Sequence, residues 1–435
     1  MREMKDSGIK WIGNVPASWK LVPIRYLFRE CTTKNRLGQE KTALKFTYGT
    51  IIPKTNFNAN TDDYVANTIM SYTVVHPGVI MINCLNLNYD FVSQRIGLVK
   101  DYGAITSAYL AIEPNSQVLS AYATYQLKSW DAAKAFHNMG TGVRKTLDFS
   151  ELGKKHFVLP TLGEQKNIVE FLDSQCSEID AISADIQKEI EILEQYKRSV
   201  ITEAVTKGLN PDVEMKDSSV EWVGIIPASW TSSRLGYETY IRARLGWKGL
   251  KADEYVDEGY AFISAFNIQN NKLVWTPLNY ITKERYDESP EIKLHIGDVI
   301  IVKDGAGIGK CARIDSLPMG ETAPNSSIGV ITPLAKLNYR YLAYYLQSAI
   351  FNNLILKLLN GMGVPHLTQE VLNKTPILLP PKQEQVRIAN FLDSKCCEID
   401  SAIETKKKQI DILDAYKKSL IYEYVTGKKE VPVQN

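Results

Sequence analysis

Two stretches of the chain carry apolar residues at alternating steps of three and four. Leu172, Ile179, Ile182, Ile186, Leu193, Tyr196 and Val200, widened by Ile190, form the first stripe, and Leu392, Ile399, Ile403, Ile410, Leu413, Tyr416 and Leu420 form the second. Charged residues occupy the other faces, which predicts two long helices that each bury a coiled-coil seam. Pro160 precedes the first stretch and Pro380 and Pro381 the second, while Gly208 and Gly427 follow their ends, as helix starts and stops require. About 44 residues at about 1.5 Å each make a rod of roughly 65 Å. Elsewhere the pattern changes to short β-rich runs between turn residues. GVIMIN (78–83), RIGLVK (95–100) and SAYLAIEP (107–114) in the first half match YAFISAFNI (260–268), GDVIIVKDG (297–305) and SSIGVITP (326–333) loosely in the second. Each set leads into a helix, predicted over 122–136 and 339–359, and then a glycine loop, GTGV (140–143) or GMGV (361–364). The most apolar stretch, 341–359, is interrupted by Gln347, Ser348, Asn352, Asn353 and Lys357. It reads as an amphipathic core helix and not as a membrane span.

These patterns occur twice because the chain is duplicated. MKDSGIKWIGNVPASW (4–19) returns as MKDSSVEWVGIIPASW 211 residues later, and EQKNIVEFLDSQCSEID (164–180) returns as EQVRIANFLDSKCCEID 220 residues later. A repeat of this length is a doubled half-protein, not a solenoid period. Its ends match while its middles diverge, which suggests a shared scaffold with differing readout. Each long helix has an internal partner in the other, and globular halves at opposite ends of a shared rod require the two to run antiparallel. The expected architecture is therefore mixed α/β, with pseudo-twofold symmetry. A head over 1–160 precedes a long helix over 161–210, and a second head over 211–380 precedes a second helix and tail over 381–435.

Composition changes this picture little. With 435 residues, 44% apolar and 23% charged, the chain has enough material for two globular cores. MREMKDSGIK has no apolar core and no small-residue cleavage site, so no secretory signal is read there. Cys31, Cys84, Cys176, Cys311, Cys396 and Cys397 form no CxxC pair, and five histidines are scattered. Neither a disulfide framework nor a metal site is expected, and a reducing cytoplasm fits. Charge is more telling. The first helix (164–206) carries ten acids against four bases and the second (384–426) eight against seven, so with a formal +2 overall the rest of the chain holds an excess of nine positive charges. Such an excess suits a polyanion, and equally a solvated basic surface.

Few motifs promise chemistry. DGAGIGKC (304–311) lacks the first glycine and the terminal Ser or Thr of a phosphate loop. A glycine turn with Lys303 and Lys310 beside DNA phosphate, or a plain turn, are its readings. PDVEMK (211–216) packs into one linker the acids that nucleases spread over separate strands, so it reads as chance. No methyltransferase motif, cofactor fingerprint or nucleophile–base set is visible. Trp11, Pro16 and Trp19 recur as Trp222, Pro227 and Trp230. Since both copies keep them, packing is preferred over base stacking. IRARLGWKG (241–249) lies in a divergent middle, where Arg242, Arg244 and Lys248 around Trp247 suit phosphate contact.

On these residues, namely WIGNVPASW and WVGIIPASW, LPTLGEQ and LPPKQEQ, FLDSQCSEID and FLDSKCCEID, with GTGV and GMGV, the chain resembles the specificity subunit of type I restriction-modification enzymes. The resemblance spans essentially the whole chain. It implies two target-recognition domains, each reading half of a split DNA sequence, on an antiparallel helical pair. It also implies two docked adenine-methyltransferase subunits and two motor-nuclease subunits in the restricting complex. S-adenosylmethionine, ATP and magnesium would belong to those partners, and this chain would be non-catalytic. Because the middles differ, the target should be asymmetric and bipartite. Expected DNA contacts are Thr47, Tyr48, Thr50, Asn83, Asn86, Arg95, Arg144 and Lys145 in the first head. In the second they are Arg242, Arg244, Lys248, Ser264, Asn267, Lys303, Lys310, Asn325, Ser327 and His366. The rival readings are a coiled-coil adaptor whose heads bind proteins and a nucleotide-binding enzyme built on DGAGIGKC.

Overall fold

A computed structural model describes residues 2–55, 68–89, 94–140, 145–220, 223–243, 250, 252–359 and 366–432. The chain divides into two compact units, Met1–Ile186 with Lys408–Asn435, and Gln187–Lys407. Each unit holds one head and a part of each long helix.

In the first unit, strands β1 (Phe28–Glu30), β2 (Ala43–Thr47), β3 (Thr50–Pro53), β4 (Thr73–Val75), β5 (Ile80–Ile82), β6 (Ile96–Leu98), β7 (Gly103–Ile105) and β8 (Leu110–Pro114) form two sheets. Their orders are β3-β2-β7-β4 and β1-β8-β5-β6, and only β2 and β7 run parallel. Successive side chains of a strand point to opposite faces, and β5 is buried on both. Ile80 and Ile82 join the main core with Tyr122 and Trp130 of helix α1 (Ser120–Ala132), while Met81 faces Leu44, Ile51 and Ile105 of the other sheet. That is why VIMI is an unbroken apolar run, and each such residue contributes about 1.5–3 kcal/mol by its burial.

Counterpart strands in the second unit are β9 (Thr239–Arg242), β10 (Tyr260–Ile263), β11 (Asn279–Ile281), β12 (Val299–Val302), β13 (Cys311–Arg313), β14 (Thr322–Pro324) and β15 (Ile328–Pro333), ordered β9-β15-β12-β13 and β11-β10-β14. Val299 and Ile301 face the helical core, and Ile300 and Val302 face the second sheet. The plan is shared, but the expected matching of β-rich runs is out of step. GVIMIN and SAYLAIEP do correspond to GDVIIVKDG and SSIGVITP. RIGLVK, however, corresponds to the strand at Cys311–Arg313, and YAFI to the one at Ala43–Thr47.

The two predicted head helices are shorter than their patterns. The first stops at Ala132, followed by Lys134 at φ 57°. The second splits into α3 (Tyr339–Gln347) and α4 (Ala349–Leu359) at Ser348, whose extended backbone ends one helix while its hydroxyl donates to the Tyr345 carbonyl at 2.6 Å.

Long helices α2 (Leu162–Lys207) and α5 (Lys382–Val425) are present as expected. Thr161 and Glu164 cap α2 reciprocally, the Thr161 amide donating to the carboxylate and the Glu164 amide to the hydroxyl. In the first unit, the rings of Phe171 and Tyr424 pack at a tilt with centroids 4.4 Å apart, and Asp180 accepts from Lys417 at 2.6 Å. In the second, Glu189 meets Lys406 and Asp400 accepts from Lys197 at 2.5 Å. Within each unit the α5 number falls as the α2 number rises, so the helices pair antiparallel. Part of the predicted stripe is displaced: Ile182, Tyr196 and Tyr416 are exposed, and the stems of Lys197 and Lys417 lie half-buried towards the partner helix.

The repeated blocks are the hubs of the two units. Tyr122 donates to the carbonyls of Val158 and Val425, and Tyr341 to those of Leu378 and Val205. Gln165 donates to Pro160 and Gln117 and accepts from the Leu119 amide; Gln385 repeats this with Pro380, Lys336 and Asn338. Trp19 is buried and donates to Glu164 at 3.0 Å, and Trp230 is buried in the second core. At the end of α5, Gly427 has φ 70°, and a Cβ there would stand 2.4 Å from Pro16. Packing therefore explains the doubled tryptophans and prolines that the structure describes.

Candidate nucleic-acid interface

In the second head, four loop residues meet where strands end. Ser264 follows β10, Lys303 follows β12, Asn325 follows β14 and Ser327 precedes β15. Backbone bonds tie them together: Asn325 donates to Ile263, and Lys303 donates to Ser327 at 2.7 Å and accepts from Leu367. The Ser327 hydroxyl donates to Asn325 Oδ1 at 2.7 Å. His366 bridges by backbone to Asp304, its Nδ1 3.5 Å from the carboxylate. The stem of Lys303 lies over Gly329, and burial pushes its ammonium below the ordinary lysine value. Lys310 is exposed, and Phe266 beside it is 63% exposed. Two amines, amide and hydroxyl groups and an aromatic face thus border one edge, a combination suited to phosphate and base contact.

The glycine loop itself is closed. Val302 donates to Lys310, Gly309 to Val302, Ile308 to Gly305 and Lys310 to Gly307, so these amides are spent inside the turn and form no phosphate cradle. Gly309 (φ 84°) is where the backbone approaches closely, since a Cβ would lie 3.0 Å from Ile355. The neighbour is a core helix.

Two arginines and an asparagine expected at DNA are consumed by the fold. Arg242 is 8% exposed and donates to the Asp298 carboxylate at 2.7 Å, to Thr332 and to two carbonyls. Arg95 is 7% exposed and donates to the carbonyls of Asn83, Leu85 and Asn86. Asn267 is buried, closing a capping box with Ser264 and donating to Val274 and Pro277. A buried charge needs such partners, and these three residues shape loops and do not reach out of them.

Among its described residues the first head offers an exposed tip. Thr47 and Thr50 face each other across a two-residue turn in which Tyr48 (φ 49°) and Gly49 (φ 74°) are both left-handed, and Tyr48 is 80% exposed. Asn83 is half-buried and its side chain accepts from the Leu85 amide, Asn86 is exposed at φ 50°, and Lys145 accepts from the Leu87 amide. Arg144, Arg244 and Lys248 lie outside the described residues, as do 141–143 and 361–364 of the glycine loops.

Sequence reasoning missed Phe266, whose exposure carries no signal in a run that reads as a strand. It also missed an outward face on the long helices. Ile192 (62% exposed) and Tyr196 lie outward on α2, and Ile412 (67%) and Tyr416 lie outward at the repeat-equivalent positions of α5. Lys188 and Ser199, exposed and four and three residues away, recur as Lys408 and Ser419. The signal was available in Ile192, Lys188 and Ser199, whose identities repeat at Ile412, Lys408 and Ser419 outside the predicted seam.

Burial pushes the thiols of Cys84 and Cys311 up to about 12. Among the described residues no group of three or more His, Cys, Asp or Glu is placed to hold a metal ion, and no helix is long and apolar enough to cross a membrane.

A duplicated chain of two α/β heads, matched at its hubs and different at the strand ends, defines a class of paired-head proteins built on antiparallel helices. Residues 246–416 match the family described as "Type I restriction modification DNA specificity domain". The Type I restriction enzyme MjaVIII specificity subunit of Methanocaldococcus jannaschii is 27% identical over 333 residues, 76% of this chain and 75% of that one. The putative type I restriction enzyme MjaX specificity subunit of the same organism is 25% identical over 97% of this chain and 96% of its own. A solved structure reported under "Structural basis underlying complex assembly and conformational transition of the type I R-M system" shares the fold, with TM-score 0.69, 15% identity and coverage of 95% of this chain and 99% of that one. Over most of its length the chain is thus similar to type I restriction enzyme specificity subunits, and residues 246–416 carry the match to the specificity domain.

Proposed function

We propose that this chain is the DNA-reading subunit of a type I restriction-modification complex and catalyses nothing by itself. Each head reads one half of an asymmetric bipartite site, and the helices set the distance between the halves. The carrying observation is the division of the repeat. Hub residues such as Gln165 and Gln385, or Tyr122 and Tyr341, keep their partners in both units, whereas the strand ends present Tyr48 in one head and Lys303, Lys310 and Phe266 in the other. Two different heads on one scaffold suit two different half-sites.

Two copies of one methyltransferase subunit dock on the outward helix faces. Ile192 with Tyr196, and Ile412 with Tyr416, are large exposed apolar residues repeated at equivalent positions, and their contact with solvent does nothing for the fold. Two motor-nuclease subunits join the restricting form. S-adenosylmethionine, ATP and magnesium are bound by these partners, and the complex works in the prokaryotic cytoplasm.

A mobility-shift titration of the full chain with its methyltransferase partner, against DNA bearing its target and against shuffled DNA, tests the reading. Preference for the target supports it; equal affinity for both is the result of an adaptor and overturns it.

A further inference from the structure

The two heads are fastened to their long helices unequally. Both units share one contact: Tyr125 donates to Asp173 at 2.6 Å, and its equivalent Tyr344 donates to Asp393 at 2.7 Å. In the second unit two arginines converge on the same carboxylate. Arg313 at the end of β13 reaches Asp393 at 2.6 Å, and Arg340 on α3 reaches it at 2.8 Å and also donates to Asn390 at 2.8 Å. A strand and a helix of the head are thereby pinned to one point of α5.

The duplication shows what stands there in the first head. Arg313 pairs across the sheet with Val299, which faces Ile331, two residues before Pro333; Leu98 pairs with Ile80, which faces Ile112, two residues before Pro114. Leu98 therefore occupies the position of Arg313. Tyr341 and Tyr122 make equivalent bonds, so Ala121 occupies the position of Arg340. Neither can reach a carboxylate with charge.

We infer that Asp393, gripped by Arg313 and Arg340, is a positioning residue that fixes the angle of the second head on its helix, and that it makes the spacer length of the target stringent from the side of the second half-site. The inference rests on the proposed DNA-reading function. Charge-assisted hydrogen bonds of this kind are short and directional, and two donors from separate elements resist rotation where one tyrosine hydroxyl does not. In reactions that need two groups in register, a misplacement of about 1 Å costs about 10²-fold in rate, so a fixed angle becomes discrimination between spacers that differ by one base pair.

The test uses the full chain in complex with its methyltransferase partner, and DNA carrying the native spacer or one lengthened or shortened by a base pair. The variant R313L/R340A installs the residues that the first head already carries, and D393N removes the shared charge with little change of shape. Both variants are expected to methylate native-spacer DNA with unchanged base preference in each half-site. Methylation of the altered spacers, relative to native, rises by about tenfold. A change confined to thermal stability, with the spacer profile of both variants equal to that of the original chain, overturns the clamp. Failure of the unaltered complex to prefer any bipartite sequence overturns the function beneath it instead.

Discussion

Individual polar side chains in these heads sort by whether the fold has already used them. Arg242 sits against Asp298, whose side chain is fully buried, so R242A strands a buried carboxylate. That loss should cost about 3–5 kcal/mol, measured by denaturant unfolding, and a cost near zero would show that the pair is dispensable. Lys303 and Lys310 border the open edge. K303A/K310A should weaken binding to target and shuffled DNA alike and lower the salt slope of the binding constant by about 2. Titrations at several salt concentrations measure this, and an unchanged slope removes both lysines from the phosphate path. Nothing in a single sequence separates these classes. Arg95 and Lys303 both sit in loops beside β-rich runs, and only the three carbonyls that surround Arg95 reveal its role.

At the scale of elements, the long helices were the most legible part, because a seven-residue repeat sustained from Leu172 to Val200 and from Leu392 to Leu420 has one physical reading. The error of detail was equally physical. Tyr196 is apolar enough to be counted into the seam, but it is exposed, and the half-buried side chain next to it is Lys197, whose ammonium reaches Asp400. The outward tyrosines give a prediction. Under the proposed docking of two methyltransferase copies, I192E/Y196E or I412E/Y416E should each leave one copy bound and the combined variant none, by native mass spectrometry; two copies on the combined variant would place docking elsewhere. The helix-bound carboxylates give another. Burial opposes the charge of Asp393 and Asp400, but hydrogen bonds and charge from Tyr344 and Arg313, and from Lys197 and Lys272, outweigh it and hold both below the usual aspartate range. Carboxyls depressed in the folded state stabilise it above their unfolded value of about 3.9, and that stabilisation is lost as pH falls through the folded value. The melting temperature of the original chain should exceed that of D393N/D400N near neutrality and converge with it in acid. A gap that persists in acid contradicts the linkage.

For the molecule as a whole, the duplication was legible because hubs tolerate little change. A tyrosine that must satisfy two carbonyls, or a glutamine that closes three bonds, survives in both copies. The heads were less legible: short strands with one shared plan can be matched out of step, and RIGLVK was, because apolar alternation carries no information about sheet order. The heads differ at their strand ends among other places, with Lys303, Lys310 and Phe266 in one and Tyr48 in the other. The central claim is that these two unlike ends read two unlike half-sites. Genome-wide mapping of methylated adenines in a host lacking other methyltransferases, supplied with this chain and its methyltransferase partner, tests it most directly. The account predicts one asymmetric motif of two short specific blocks separated by an unread spacer of fixed length, and a continuous or palindromic motif would contradict it.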